Sequence, residues 1–482
     1  MRLGNINMAI SNLNGTNEAH QENGAHKSAV LHRDLHHEFP EVSRGEGNYL
    51  ILNDGRKVFD ASGGAAVACV GHGNARVNTA MIDQISKVSY CASTFFKTSI
   101  VEEAARMLVN TTNGHMTRAY IVNSGSEAME AAMKLARQYF LEKQNPEPSR
   151  IRFISRKQSY HGTTLGSLAM GGHVMRRAKF EPMLIDTISR VSPCFSYRGK
   201  NKDETDEAYV KRLASELDNE FQRVGPGTVC AFVAETVVGA ALGCVPAVAG
   251  YFKAMQAICR KYGALLILDE VMCGMGRTGY HHAWQHEAVI PDIQTVGKGL
   301  AGGYQPVAGV LIQKDIVDAL ERGTAAFVHG HTYQAHAVGC AAVVVVQQII
   351  QESFLISNVR AMGELLEDRL RDTIAEHPNV GNIRGRGLFW GIEFVQDKLT
   401  KTPFPMTDNV ACKLNELGLT EDYSIVVYPG NGTADGFVGD HIILAPPYTV
   451  TAEDVEYIVR TVSKMIHNFF PVAVTNGAPN RA

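Results

Sequence analysis

Several things are missing from this chain of 482 residues, and each absence removes a class of function. No apolar run reaches the ~18 residues needed to span a bilayer. The greasiest stretch, residues 341–350, is short and interrupted by Gln347-Gln348. No basic stripe is present, and the net charge is only −3 with a pI of about 6.7, so nucleic acid is not an expected partner. The nine cysteines lack paired spacing, which reads as free thiols in a reducing compartment. Internal repeats and long low-complexity linkers are also lacking. The first 31 residues are polar and rich in Asn, Gly and His, without the apolar core of a secretion signal, and Glu18 and Glu22 argue against a transit peptide. They read as a flexible arm, or as one that crosses onto a neighbouring subunit, and the cytoplasm is the expected location.

What remains is the composition of an ordinary globular protein, 45% hydrophobic and 20% charged. The length exceeds the roughly 250–300 residues at which single cores stop growing, so at least two domains are expected. Short apolar runs alternate with helix-like segments through the middle of the chain, the pattern of a βαβ-built, mostly parallel sheet. Strands are expected at 119–122, 151–154, 230–234, 264–268, 293–296 and 307–312. After the first of them, Ser124-Gly125-Ser126-Glu127 fits a capping box, and Ala128, Ala131, Ala132, Leu135 and Ala136 follow at helical spacing. A large α/β domain over 96–345 is expected, flanked by 32–95 and 346–482, whose segments together form a smaller α/β domain. In the last segment the pattern gives a helix over 358–377, strands at 387–394 and 441–444, and a closing helix over 452–470.

In open α/β sheets ligands bind beyond the carboxyl ends of the strands. Polar residues recur there in this chain: Asn123 to Ser126 after the first strand, Tyr160-His161-Gly162 after the second, Glu235 at the end of the third, Asp269 at the end of the fourth and Lys298 after the fifth. Lys298 stands between Gly297 and Gly299, where a large planar group has room to approach. A lysine nucleophile with an acidic partner one strand away fits a Schiff-base lysine and a carboxylate for a pyridine nitrogen. Asp269 has a plainer reading as a strand-end carboxylate holding Arg277 or a loop amide. Ser124-Gly125-Ser126 at a helix start is either a plain N-cap or an anion site. Tyr160 is either core packing or a ring stacked on a cofactor, with Val271 on the opposite face. Two further patterns are decoys. Gly274-Met275-Gly276-Arg277-Thr278-Gly279 matches a dinucleotide fingerprint but does not open a helix, which leaves a nicotinamide oxidoreductase as a remote alternative. His329, His331 and His336 lack metal-ligand spacing, so no metal is expected.

Taken as a set, these residues resemble the class III pyridoxal-phosphate-dependent aminotransferases of fold type I, over about residues 45–470. The segments that carry the resemblance are Asp60-Ala61-Ser62-Gly63 with Gly71-His72-Gly73, Asn123 to Ala128, Tyr160-His161-Gly162, Glu235, Asp269-Glu270-Val271 with Gly276 to Gly279, Lys298-Gly299, Gly330 to Tyr333, Arg384 to Leu388, and Ala445-Pro446-Pro447. The resemblance implies pyridoxal phosphate as cofactor, bound as a Schiff base to Lys298, which then shuttles a proton. It implies Asp269 on the pyridine nitrogen, Gly125 and Ser126 on the phosphate, Tyr160 on the ring, and a homodimer in which Thr332 reaches the phosphate of the neighbouring subunit. Glu235 belongs to the same cofactor-binding set. Relatives that use glutamate carry an arginine where this chain has Ile443, and pyruvate-using relatives carry a bulky aromatic where it has Ala65-Ala66-Val67. Small residues there imply a wide pocket and a longer or bulkier amine. Asp435 and Asp440-His441 are candidates for a basic substrate or simply solvated loop residues. The implied reaction is amino transfer from an amine or ω-amino acid to a 2-oxo acid, with an aminomutase or decarboxylating transaminase as the alternative.

Overall fold

The computed structural model describes residues 28–471. The expected N-terminal arm, up to residue 27, lies outside the described residues. The centre of the molecule is a seven-stranded sheet in the order Arg118–Val122, Ala308–Ile312, Ile293–Val296, Leu265–Glu270, Val229–Glu235, Arg152–Arg156, Ile188–Val191. Every pairing is parallel except the two made by Ala308–Ile312. The four strands from Ala308–Ile312 to Val229–Glu235 are buried at every residue. A strand covered on both faces is mostly apolar, which is why three of these were readable as hydrophobic runs, while Ile293–Val296 carries Gln294 and Thr295, both hydrogen-bonded inside.

Alternation along Leu265–Glu270 divides the core into two layers. Leu265 and Ile267 pack with the Gly125–Glu142 helix on one face. Leu266 and Leu268 pack on the other with the Asp206–Val224 and Tyr251–Lys261 helices. The Gly125–Glu142 helix buries Ala128, Ala131, Ala132, Leu135 and Ala136, the stripe its spacing called for. Six strands stand within two residues of expectation, and the seventh, Ile188–Val191, was missed. It lies at the sheet edge and carries Ser189-Arg190 in its middle, so it has no apolar run to show.

The two ends of the chain meet. Lys57–Asp60 belongs to an antiparallel set with Val42–Glu46 and Tyr49–Leu52, and it accepts Ile425–Val426 as a parallel neighbour. A separate antiparallel sheet runs Val380–Gly385, Trp390–Phe394, Asp440–Leu444, Tyr428–Asn431. Leu355–Ile374 and Ala452–Phe469 pack against this end of the molecule, the latter opened by a Thr451–Asp454 capping box. The expected 387–394 strand begins only at Trp390, because Gly387 turns at φ +58° with a backbone 2.7 Å from where a Cβ would sit. The expected 358–377 helix starts three residues early, at Leu355. Asn358, inside that helix, donates its side-chain amide to the carbonyls of Tyr448 and Val450. No single helix among the described residues is long and apolar enough to cross a bilayer. The apolar Ala337–Glu352 helix is buried on most sides within the main core.

Candidate active site

All five strand-end groups converge on one cavity of about 500 Å³. Its lining includes Ser124, Gly125, Ser126, Tyr160, Glu235, Asp269, Val271 and Lys298, each singled out from sequence, together with His161 and Gly162.

Lys298 opens a short 3-10 turn just past the Ile293–Val296 strand, with a backbone φ of +46°. A non-glycine residue in this region is strained by about 1–2 kcal/mol, and such outliers gather at functional sites. Burial pulls the Lys298 amine below its ordinary pKa, and the charges of Asp269 and Glu235 partly offset that pull. No hydrogen-bond partner among the described residues holds its Nζ, although the side chain reaches the cavity.

Asp269 is held from three sides. Its Oδ1 accepts the Val271 amide at 3.0 Å and the Thr295 hydroxyl at 3.1 Å. Its Oδ2 stands 2.8 Å from His161 Nδ1. A carboxylate has only lone pairs to offer there, so Nδ1 carries the proton. The sequence alternative of a loop amide is therefore present, and Arg277 is not a partner: it donates to the carbonyls of Leu388 and Pro446. Parallel register sets Thr295 beside Asp269 on the next strand. The adjacent Glu270 points to the other face and accepts from Thr236, Gln294 and the amides of Ala283 and Trp284.

The Glu235 carboxylate has no arginine partner among the described residues, although Arg156 donates to its backbone carbonyl. Its two oxygens accept the amides of Tyr160 and Gly239, each at 3.0 Å, so it fixes the loop that carries Tyr160. Burial, helped by the charge of Asp269, raises its pKa.

At the other end of the cavity the Gly125–Glu142 helix presents its N-terminus. Ser124 accepts the Glu127 amide, while Glu127 accepts the amides of Asn123 and Ser124. This capping box leaves the Gly125 and Ser126 amides without an acceptor among the described residues. A Cβ on Gly125 would lie 2.8 Å from Val271 Cγ1, and one on Gly162 would lie 2.5 Å from Ser126 Oγ. Gly162 also has φ +133°. The helix end, Val271 and the 160–163 loop therefore form a cradle that side chains would fill, with two free N–H groups and the positive end of an 18-residue helix facing into it. That donor set, with a buried carboxylate and an unpaired lysine across the cavity, fits a phosphorylated pyridine aldehyde.

Some expected residues lie elsewhere. Thr332 is exposed in the loop before Ala337–Glu352, outside the cavity of its own chain. Ala65 and Val67 line the cavity, whereas Ala66 is buried behind it with Ile443, Phe389 and Ala445. Asp435 caps the amides of Phe437 and Val438, Asp440 accepts from the Ala411 amide and Asn431, and His441 contacts Thr433, so none is placed for a basic substrate. The Gly274–Gly279 stretch is a buried turn that opens no helix, so it has no N-terminus for a pyrophosphate and the nicotinamide alternative falls. No group of three or more metal-ligating side chains occurs among the described residues, and His329 instead meets Lys134 Nζ at 3.1 Å. Sequence reasoning missed the roles of His161 and Thr295, and missed Arg33, Arg176 and Tyr428 in the lining altogether. Only His161 carried a signal, its place beside Tyr160 after a strand.

The profile of the aminotransferase class III family matches residues 31–466, and the chain belongs to that family. It is 52% identical to an aminotransferase of Gibberella zeae over 92% of this chain and 87% of that one. It is 48% identical to an uncharacterized aminotransferase of Schizosaccharomyces pombe over 91% and 95%. Its fold superposes, with a TM-score of 0.85 and 27% identity, on an amine transaminase from an uncultivated Pseudomonas species in its pyridoxal-phosphate-bound form, over 94% of this chain and all of that one. The protein is a pyridoxal-phosphate-dependent transaminase of fold type I.

Proposed function

We propose that this transaminase moves an amino group from an amine or ω-amino acid to a 2-oxo acid, with Lys298 as the nucleophile and proton carrier. The observation that carries the reading is Lys298 itself: recessed in the cavity, without a hydrogen-bond partner among the described residues, strained, and depressed in pKa by burial. Burial favours the neutral amine there, and its lone pair serves for attack on a carbonyl carbon and afterwards for taking and returning a proton at the substrate carbon. Bound pyridoxal phosphate supplies an electron-withdrawing ring that stabilises negative charge on that carbon.

The other residues bind and orient. Asp269, steadied by His161 and Thr295, would hold the proton on the ring nitrogen. Tyr160 and Val271 would cover the two faces of the ring. Gly125 and Ser126, behind Ser124, would donate to the phosphate, and Glu235 would keep Tyr160 in place through its amide. Thr332 of one protomer would reach the phosphate site of its partner in a homodimer, which accords with its exposure here. Small Ala65 and Val67 at the cavity wall leave room for an extended donor. We also assign residues 96–345 to a large cofactor-binding domain and 32–95 with 346–482 to a smaller one, and the cytoplasm, which suits nine unbridged cysteines, as the location.

A donor-by-acceptor panel on the purified holoenzyme, run beside Lys298→Ala, tests this. Wild type should release keto product or aldehyde stoichiometrically from donor alone, and the variant should lose turnover by at least about a thousandfold, as loss of a covalent catalyst demands. Undiminished turnover in the variant would sink the assignment. Release of CO₂, or rearranged amine without acceptor, would point to decarboxylation or aminomutase chemistry instead.

A further inference from the structure

Two charged cavity-lining side chains remain without a task, and both are arginines. Arg176 and Arg33 line the same cavity as Lys298, yet neither makes a hydrogen bond or ion pair among the described residues. The acids of the cavity are already engaged: Glu235 by the amides of Tyr160 and Gly239, Asp269 by Val271, Thr295 and His161. The adjacent Arg177 shows what a structural arginine looks like here. It is buried, donates to the carbonyls of Leu168, Ala169 and Gly171, and pairs with Glu181 at 2.8 Å. Arg177 thereby anchors the short Val174–Arg177 turn, and Arg176 is turned toward the cavity, its guanidinium carbon 4.9 Å from the Tyr160 ring centroid. Cation–π contact restrains the group in that place without using up its five donors.

Arg33 is exposed and Arg176 half-buried, while the Lys298 amine is buried deeply enough to pull its pKa down. A donor whose amine reaches Lys298 therefore directs its far end toward the arginines. A guanidinium fork with no protein acid to bind matches a carboxylate in geometry and charge.

We propose that Arg176, with Arg33 contributing charge at the rim, anchors a substrate carboxylate remote from the reacting carbon and thereby selects ω-amino acids over uncharged amines. This rests on the transaminase reading of Lys298 and narrows its donor class.

The test compares δ-aminovalerate with pentylamine as donors for holoenzyme, and adds equilibrium binding of valerate, which has no amine to react, by calorimetry. In Arg176→Gln the ratio of kcat/KM for δ-aminovalerate over pentylamine should fall about ten- to hundredfold, the value of a charge-assisted hydrogen bond. Most of that change should appear in KM. Valerate should weaken by a similar factor, and Arg176→Lys should recover part of the ratio. Equal effects on both donors, or unchanged valerate binding, would overturn the proposal. So would loss of bound pyridoxal phosphate without loss of selectivity, which would make Arg176 a phosphate ligand. A donor selectivity that ignores Arg176 sinks only this inference, whereas a loaded wild-type enzyme that transaminates no donor sinks the reading beneath it.

Discussion

Lys298 shows how much a single residue can be asked to tolerate. Its backbone is in the left-handed region and its amine is taken out of water, and both costs are met by the surrounding core. The direction of its pKa shift has a measurable consequence. Only the neutral amine attacks a carbonyl, and burial disfavours the charged form, so neutral lysine appears at lower pH than in water. Loading of the apoprotein with pyridoxal phosphate, followed by visible absorbance, should therefore accelerate with pH through an inflection below lysine's ordinary 10.5. Asp269 opposes the shift by favouring the ammonium, so Asp269→Asn should move that inflection further down. An inflection that rises or stays put would show that the two groups do not sense each other. At this scale Lys298 and Asp269 were legible because each ends an apolar run abruptly. Arg176 was not, because nothing in Arg176-Arg177 tells which arginine anchors a turn and which faces the cavity.

The strand Leu265–Glu270 makes the same point one level up. Its last two residues are both acidic and buried, and the pleat sends them to opposite faces. Asp269 enters the cavity, while Glu270 closes a polar network beneath it, its pKa raised to about 7 by burial against the pull of Thr236 and the Ala283 and Trp284 amides. Glu270→Ala would strand those donors and Gln294 as well. At about 1–3 kcal/mol for an unsatisfied buried group, the loss should be at least about 3 kcal/mol, read as a lower denaturant midpoint at an unchanged slope. A change under about 1 kcal/mol would mean that water replaces the carboxylate. Most interior strands were legible in sequence through their apolar runs, and the Gly125–Glu142 helix through its capping box and alanine stripe. The edge strand Ile188–Val191 and the late start of Trp390–Phe394 were not, since one is half polar and the other is set by a turn packed on Thr278.

The whole molecule carries a further expectation. Phe95 and Phe96 are 77% and 67% exposed, and Val328 and Tyr333, flanking Thr332, are 71% and 58% exposed. The proposed homodimer would cover such open apolar side chains. In solution the protein should scatter light as twice the 52.5 kDa chain. Phe95→Ser with Phe96→Ser should shift it toward the protomer mass and weaken cofactor retention together, because Thr332 would lose its place beside the partner's site. A wild-type mass of one chain would refute the homodimer, and with it the role given to Thr332.

Local patterns in the sequence were enough for the class of fold and the positions of the buried strands, and polar residues at strand ends were enough to single out Lys298 and Asp269 as candidates. Tertiary structure decided the rest. Asp269 meets His161 across 108 residues, and Thr295 joins them through strand register. Glu235 holds an amide rather than an arginine, and Lys57–Asp60 pairs with Ile425–Val426 near the other end of the chain. Such contacts depend on how elements pack in space, and no spacing along the chain encodes which polar side chain will face the cavity.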